Sequence, residues 1–136
     1  MSSPLVDDGA SPPRDRVVLV VEDEWLIRMD IADAFEHAGW MVLEASSGEE
    51  AVALLADGAC VALLVTDIRL GGPLTGWDVA EQWRAARPTI AVIYASANPA
   101  IEIRQVRDGV FMNKPTRTRE LMAVADALWR SAERHA

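Results

Sequence analysis

Cysteine occurs once in this sequence, at Cys60, so no internal disulfide can form and a reducing cytoplasm is the expected setting. A lone thiol of this kind reads as a small apolar core residue before it reads as a redox centre. Long apolar runs are also missing: no stretch approaches the roughly 20 residues that a membrane-spanning helix needs. Nothing resembling a signal peptide opens the chain, and we expect a soluble protein. Basic residues are few, 13 Lys and Arg against 21 Asp and Glu, for a net charge of −8. This balance argues against general affinity for DNA or RNA, whose phosphates demand basic patches. It leaves room for a local phosphate site if a metal ion supplies the missing positive charge. Histidine stands only at positions 37 and 135, in no ligand-like company, and both are read as surface residues.

What is present is a globular balance, 51% hydrophobic and 25% charged, in 136 residues. That length suits one domain with a single substantial core. Residues 1–15 are rich in Ser, Pro and Asp and read as a flexible tail; 16–132 form the domain, and 133–136 a short C-terminal tail. There is no internal repeat and no low-complexity tract.

Along the domain, Val17-Val18-Leu19-Val20-Val21 is an unbroken β-branched-rich run, suited to a strand buried on both faces. It stops at Glu22-Asp23-Glu24. A helix is predicted from about Trp25 to His37, with Ile27, Ile31 and Phe35 on one face and Gly39 as its stop. Met41 to Ala45 reads as a strand, and Ser47-Gly48-Glu49-Glu50 has the capping-box pattern that opens a second helix. Val61 to Thr66 is the clearest central strand and ends on Asp67. Gly71, Gly72 and Pro73 make a loop; Thr75 with Asp78 caps a third helix carrying Trp77 and Trp83 inward. Thr89 to Ala95 is a fourth strand ending on Ser96. A short helix at Asn98-Pro99 has a poor pattern, and the Ile101, Ile103, Val106 stretch reads as core. Gly109 to Met112 is a fifth strand, followed by Asn113-Lys114-Pro115 and a last helix from about Arg119 to Arg130. Alternating strands and helices with short links imply a parallel sheet with helices on both faces.

In such sheets ligands bind beyond the carboxyl ends of the strands, where the strand order reverses. The residues placed there are Glu22, Asp23, Asp67, Ser96 and Lys114. Gathered carboxylates repel one another and favour a divalent cation, and Mg²⁺ takes oxygen ligands while leaving positions for phosphate oxygens. With the metal bound, Asp67 can attack a phosphoryl group and form an acyl phosphate. Lys114 can meet a peripheral oxygen as a cation, and Ser96 can donate a hydrogen bond to another.

Four segments carry a family resemblance: Val20-Val21-Glu22-Asp23-Glu24, Val65-Thr66-Asp67-Ile68-Arg69, Tyr94-Ala95-Ser96-Ala97 and Asn113-Lys114-Pro115. In this order and at these strand ends the chain resembles the response-regulator receiver domain of two-component signalling, of the single-domain type. The resemblance implies a flavodoxin-like (βα)5 three-layer sandwich with a five-stranded parallel sheet. It implies that a sensor histidine kinase or phosphotransfer protein phosphorylates Asp67. It further implies that Asp23 and Asp67 hold Mg²⁺ by side chain, Arg69 by its carbonyl and Glu22 through water, and that Lys114-Pro115 is a cis bond. In the family, phosphorylation draws the residue matching Ser96 toward the phosphoryl group, and an aromatic residue, here Phe111, turns inward. Plain core packing of Phe111 stays open.

Some features depart from the family pattern. Glu22 replaces the commoner Asp. The 67–76 loop is one residue longer than usual, and the span from Ser96 to Lys114 is several residues shorter, which puts the fourth helix in question. Trp25 is placed near the site mouth, where it can touch a partner, and Trp129 at a dimer face; a monomer or weak homodimer is expected. Because no stretch is left for an output domain, the signal is expected to pass to another protein. A degenerate receiver that binds a partner without phosphorylation is the alternative. A phosphatase of the haloacid dehalogenase type needs a second Asp two residues after the nucleophile, where Arg69 and Trp25 stand instead. A flavin carrier needs a Ser/Thr/Gly-rich phosphate cradle after the first strand, where three acids stand.

Overall fold

The computed structural model describes residues 15–97 and 104–134. Its first strand, β1 (Val17–Val21), is the β-branched run, and all five residues are buried. A strand with no exposed face needs cover on both sides. In chain order there follow α1 (Trp25–His37), β2 (Met41–Ala45), α2 (Gly48–Ala56), β3 (Leu63–Asp67), α3 (Gly76–Ala86), β4 (Ala91–Ser96), β5 (Val110–Asn113) and α4 (Thr118–Arg134). The strands form one parallel sheet in the order β2-β1-β3-β4-β5, the expected flavodoxin-like arrangement.

Side chains of β1 alternate between two cores, as the period of a strand requires. Val17, Leu19 and Val21 face Ala51 of α2 and Val79, Ala80 and Trp83 of α3. Val18 and Val20 face Phe35 of α1 and Leu121 and Ala125 of α4. Trp83 is fully buried, and its indole N–H donates to the Ala51 carbonyl at 3.0 Å, tying α3 to α2. Trp77 is half-buried against the Tyr94 ring, and Cys60 is buried. Trp129 is partly buried beneath the Arg16 guanidinium, 4.3 Å from its ring centroid.

The helix ends follow local chemistry. Gly39, at φ +92°, closes α1 as expected. Thr75 and Asp78 form a complete capping box at α3. At α2 only half of the box is present: Ser47 Oγ accepts the Glu50 N–H, while the Glu50 carboxylate reaches one residue further back, to the Ser46 N–H.

Four helices lie among the described residues, where a (βα)5 pattern has five. The helix sought at Asn98-Pro99 falls outside them, as do Ile101 and Ile103. The described part of that connection, residues 104–109, is turn and loop, clamped onto α3 by polar contacts. Arg104 pairs with Asp78 at 2.9 Å and Glu81 at 2.7 Å, and Arg84 donates to the Arg107 carbonyl at 2.6 Å. The Val106 N–H donates to the Tyr94 hydroxyl oxygen at 3.0 Å. At the other end of the chain, α4 continues to Arg134, past the boundary drawn at residue 132.

Asp78 thus serves both the α3 cap and the 104–109 clamp. The Thr75 backbone N–H, and then Arg104, hold its carboxyl below the usual carboxylate range. A depressed folded value means that its contribution is present above the unfolded value and lost as pH falls through the folded one. Asp78→Ala is expected to cost about 1 kcal/mol near pH 7, the usual cost of a lost cap. In urea unfolding curves across pH, the gap from wild type should close below about pH 4, where the unfolded carboxyl protonates.

Candidate functional site

Register brings the chemistry to one level. Val21 is paired with Thr66, Asp67 with Ala95, and Ser96 with Asn113. The residues at the carboxyl ends of β1, β3, β4 and β5 therefore converge. Strand order reverses between β1 and β3, so the convergence falls at the switch point of the sheet. Glu22, Asp23 and Asp67 each offer a carboxylate oxygen, and these oxygens lie within 4.8 Å of one another. Lys114 bridges two of the acids, with Nζ 2.6 Å from Glu22 Oε1 and 3.0 Å from Asp67 Oδ2. Its own backbone N–H donates to the Ser96 carbonyl at 2.7 Å, and the bond that follows, Lys114-Pro115, is cis.

The acids differ in environment. Glu22 is nearly enclosed, Asp67 is partly buried, and Asp23 is exposed. Both carboxylate oxygens of Glu22 are engaged: Oε1 by Lys114, Oε2 by the Glu24 N–H at 3.0 Å. The methylene that Glu22 has over an aspartate lengthens its reach toward Lys114. Burial raises the Glu22 pKa, and Lys114 and the Glu24 N–H only partly offset it. For Lys114 burial works to lower the pKa, but the Glu22 and Asp67 carboxylates outweigh it and the ammonium is held charged above its usual range.

The remaining predicted residues take graded places. The Arg69 N–H donates to Asp67 Oδ1 at 3.3 Å, while its side chain is exposed. Ser96 is buried at the end of β4. Phe111, paired with Tyr94 on the adjacent strand, is partly buried against the core on the α3 side. Gly76 is demanded by the loop: its N–H donates to the Ile68 carbonyl, and an added Cβ would sit 2.1 Å from the Asp67 carbonyl oxygen. Trp25 and Leu26 are 60% and 66% exposed at the start of α1. Beside Lys114 a cleft of about 480 Å³ opens between α1 and α4, walled by Ile27, Ile31, Ala34, Pro115 and Leu121.

Arg28 was not found by sequence reasoning. From α1 it donates to the Glu22 carbonyl at 2.8 Å and to Glu44 of β2 at 3.1 Å. The available signal was its place one helical turn after the three acids.

Three carboxylates converging from two strand ends are a hard-oxygen donor set, which suits Mg²⁺ in kind. The chain matches the family model described as the response regulator receiver domain over residues 18–126. It belongs to that family. This receiver is 32% identical over 109 residues to the transcriptional regulatory protein PdtaR of Mycobacterium tuberculosis, a match covering 79% of the chain. The chain spans about half of that relative, 51% of its length. Among solved structures, a response regulator receiver protein from Sinorhizobium medicae superposes with a TM-score of 0.83 at 30% identity. That match covers 87% of this chain and 97% of the other. A CheY-like receiver from Methanospirillum hungatei gives 0.82 at 21% identity, covering 90% and 99%, and speaks to the fold alone. This receiver is accordingly a two-component signalling domain, and none of its described helices is long and apolar enough to cross a membrane.

Removing the Lys114 ammonium would leave Glu22 enclosed without its cation. Without metal, Lys114→Met is expected to lose about 2 kcal/mol at pH 7, below the ~3–5 kcal/mol of a fully buried pair. Glu22 has a folded pKa above its unfolded one, so its protonated form favours folding and stability falls as pH rises through the folded value. The deficit of the variant should therefore shrink on acidification toward about pH 4, the ordinary glutamate range. Chemical denaturation at a series of pH values reads this; a deficit that stays constant contradicts it.

Proposed function

We propose that Asp67 accepts a phosphoryl group from the phosphohistidine of a sensor histidine kinase or phosphotransfer protein, with Mg²⁺ as cofactor. The observation that supports it best is the placement of the Lys114 ammonium between Glu22 and Asp67, inside a cluster of three carboxylates at the strand ends. An oxygen of Asp67 forms the new bond to phosphorus as the donor's N–P bond breaks. The electron pair stays on the imidazole nitrogen, and the product is an acyl phosphate. Lys114 already touches the nucleophile, so its charge is at hand for the incoming phosphoryl oxygens. Ser96, buried at the end of the neighbouring strand, supplies a hydroxyl to another oxygen.

Asp23 and Asp67 by carboxylate, Arg69 by its carbonyl and Glu22 through water are the residues that would hold the metal. When bound, Mg²⁺ neutralises part of the charge on the peripheral oxygens. The exposed Trp25 and Leu26 beside this site are suited to receive the phosphodonor. The chemistry is a single self-phosphorylation and its reversal by hydrolysis, not turnover of a free substrate. Ser96 and Phe111, the latter between core and surface, would carry the change to a downstream protein in the cytoplasm.

Acetyl phosphate with Mg²⁺ is expected to add one phosphoryl group to the intact chain, seen by mass spectrometry, and none to Asp67→Asn. No gain from either acetyl phosphate or a cognate kinase would favour a receiver that binds its partner without phosphorylation.

A further inference from the structure

Three consecutive acids at the end of β1 pose a mechanical problem. Their charges repel, and α1 begins with no side-chain cap at Glu24 to hold the turn. The structure assigns Arg28 the part of positioning residue for this turn: braced by Glu44, its guanidinium fixes the Glu22 carbonyl and so aims the acids at Asp67. The inference rests on the cluster being the metal-binding phosphoacceptor site proposed above.

The peptide of Glu22 is held from both ends. Its N–H donates to the Ala45 carbonyl of β2 at 3.1 Å, and its carbonyl accepts Arg28 Nη1 at 2.8 Å. Arg28 is itself fixed: its backbone N–H donates to the Glu24 carbonyl at 2.9 Å, and its Nε donates to Glu44 Oε1 at 3.1 Å. Only 15% of its side chain is exposed. A planar guanidinium can serve a carbonyl on one side and a carboxylate on the other at once, which a single ammonium does less well. Locking the 22–23 peptide fixes where the Asp23 side chain departs from the backbone. Asp23 is the exposed member of the cluster, so its placement depends on the backbone that carries it.

The sign of the effect separates this role from simple electrostatics. As a mere charge near the acids, Arg28 opposes cation binding, and its removal would tighten Mg²⁺. As a positioning residue it favours binding, and its removal loosens Mg²⁺. Calorimetric titration of the full chain with MgCl₂ is the test. Arg28→Met is expected to weaken binding about 10-fold, the lower end of what losing a ligand's supporting partner costs. Glu44→Gln keeps an acceptor for Nε and should bind as wild type does, whereas Glu44→Ala should fall between wild type and Arg28→Met. Because Glu44 is on the surface of an edge strand, its variants remain informative if Arg28→Met folds poorly. At saturating Mg²⁺ the rate of phosphorylation by acetyl phosphate should return to wild type in Glu44→Ala, because only the metal's hold has changed. Unchanged or tighter binding in both Arg28→Met and Glu44→Ala overturns the inference while wild type still binds Mg²⁺. Failure of wild type to bind Mg²⁺ at all overturns the proposed function, and this inference with it.

Discussion

Lys114 keeps an otherwise self-repelling site closed. Glu22, Asp23 and Asp67 present oxygens within 4.8 Å of one another, and Glu22 is almost wholly withdrawn from water. Like charges so placed favour opening the turn, shifting a pKa or recruiting a cation. The ammonium meets that need from the end of β5, and the Lys114 N–H is in turn fixed to the Ser96 carbonyl at the end of β4. The site thus depends on the alignment of four parallel strands. A slip of one residue in any of them would turn its site residue to the opposite face of the sheet.

The same contact links resting structure to chemistry. A cation that already spans nucleophile and neighbouring acid needs little reorganisation when charge arrives on phosphoryl oxygens. The core beneath is stiff: β1 is enclosed on both faces, and Trp83 ties α3 to α2. The rim is less enclosed: Phe111 is half-buried and Trp25 is open. The 104–109 segment is fastened there by Arg104, Arg84 and the Tyr94 hydroxyl together. Its exposed Arg104 ion pairs are individually weak, each worth at most about 1 kcal/mol.

Much of this was legible in the residues. Four of the five strands were readable from apolar runs ending in acids, Ser96 or Asn113-Lys114, because buried parallel strands carry that pattern without interruption; β2, at the sheet edge, is interrupted by the exposed Glu44 and ends on none of these. Glu22, Asp23, Asp67 and Lys114 were readable because each sits at a strand end, and a strand end is a place in the fold as well as in the chain. The Glu22 to Lys114 bond was not, because it joins residues 92 positions apart and no local pattern announces it. Arg28 was missed because its acceptors, the Glu22 carbonyl just beyond β1 and Glu44 of β2, are brought to it by the fold, and its place one helical turn after the acids does not by itself name them. The clamp of Tyr94, Arg84 and Arg104 on residues 104–109 is likewise a tertiary substitute for local structure. The short span between Ser96 and Lys114 hinted at it only as something missing.

Nitrogen-15 NMR of the Lys114 side chain, assigned by its loss in Lys114→Met, reads the decisive contact directly. In metal-free protein its ammonium should titrate above the ordinary lysine value of about 10.4. Glu22→Gln should lower that midpoint, because it removes one of the two carboxylates that hold the proton. A midpoint at the ordinary value that ignores this substitution would show that the lysine and the acids do not share one site.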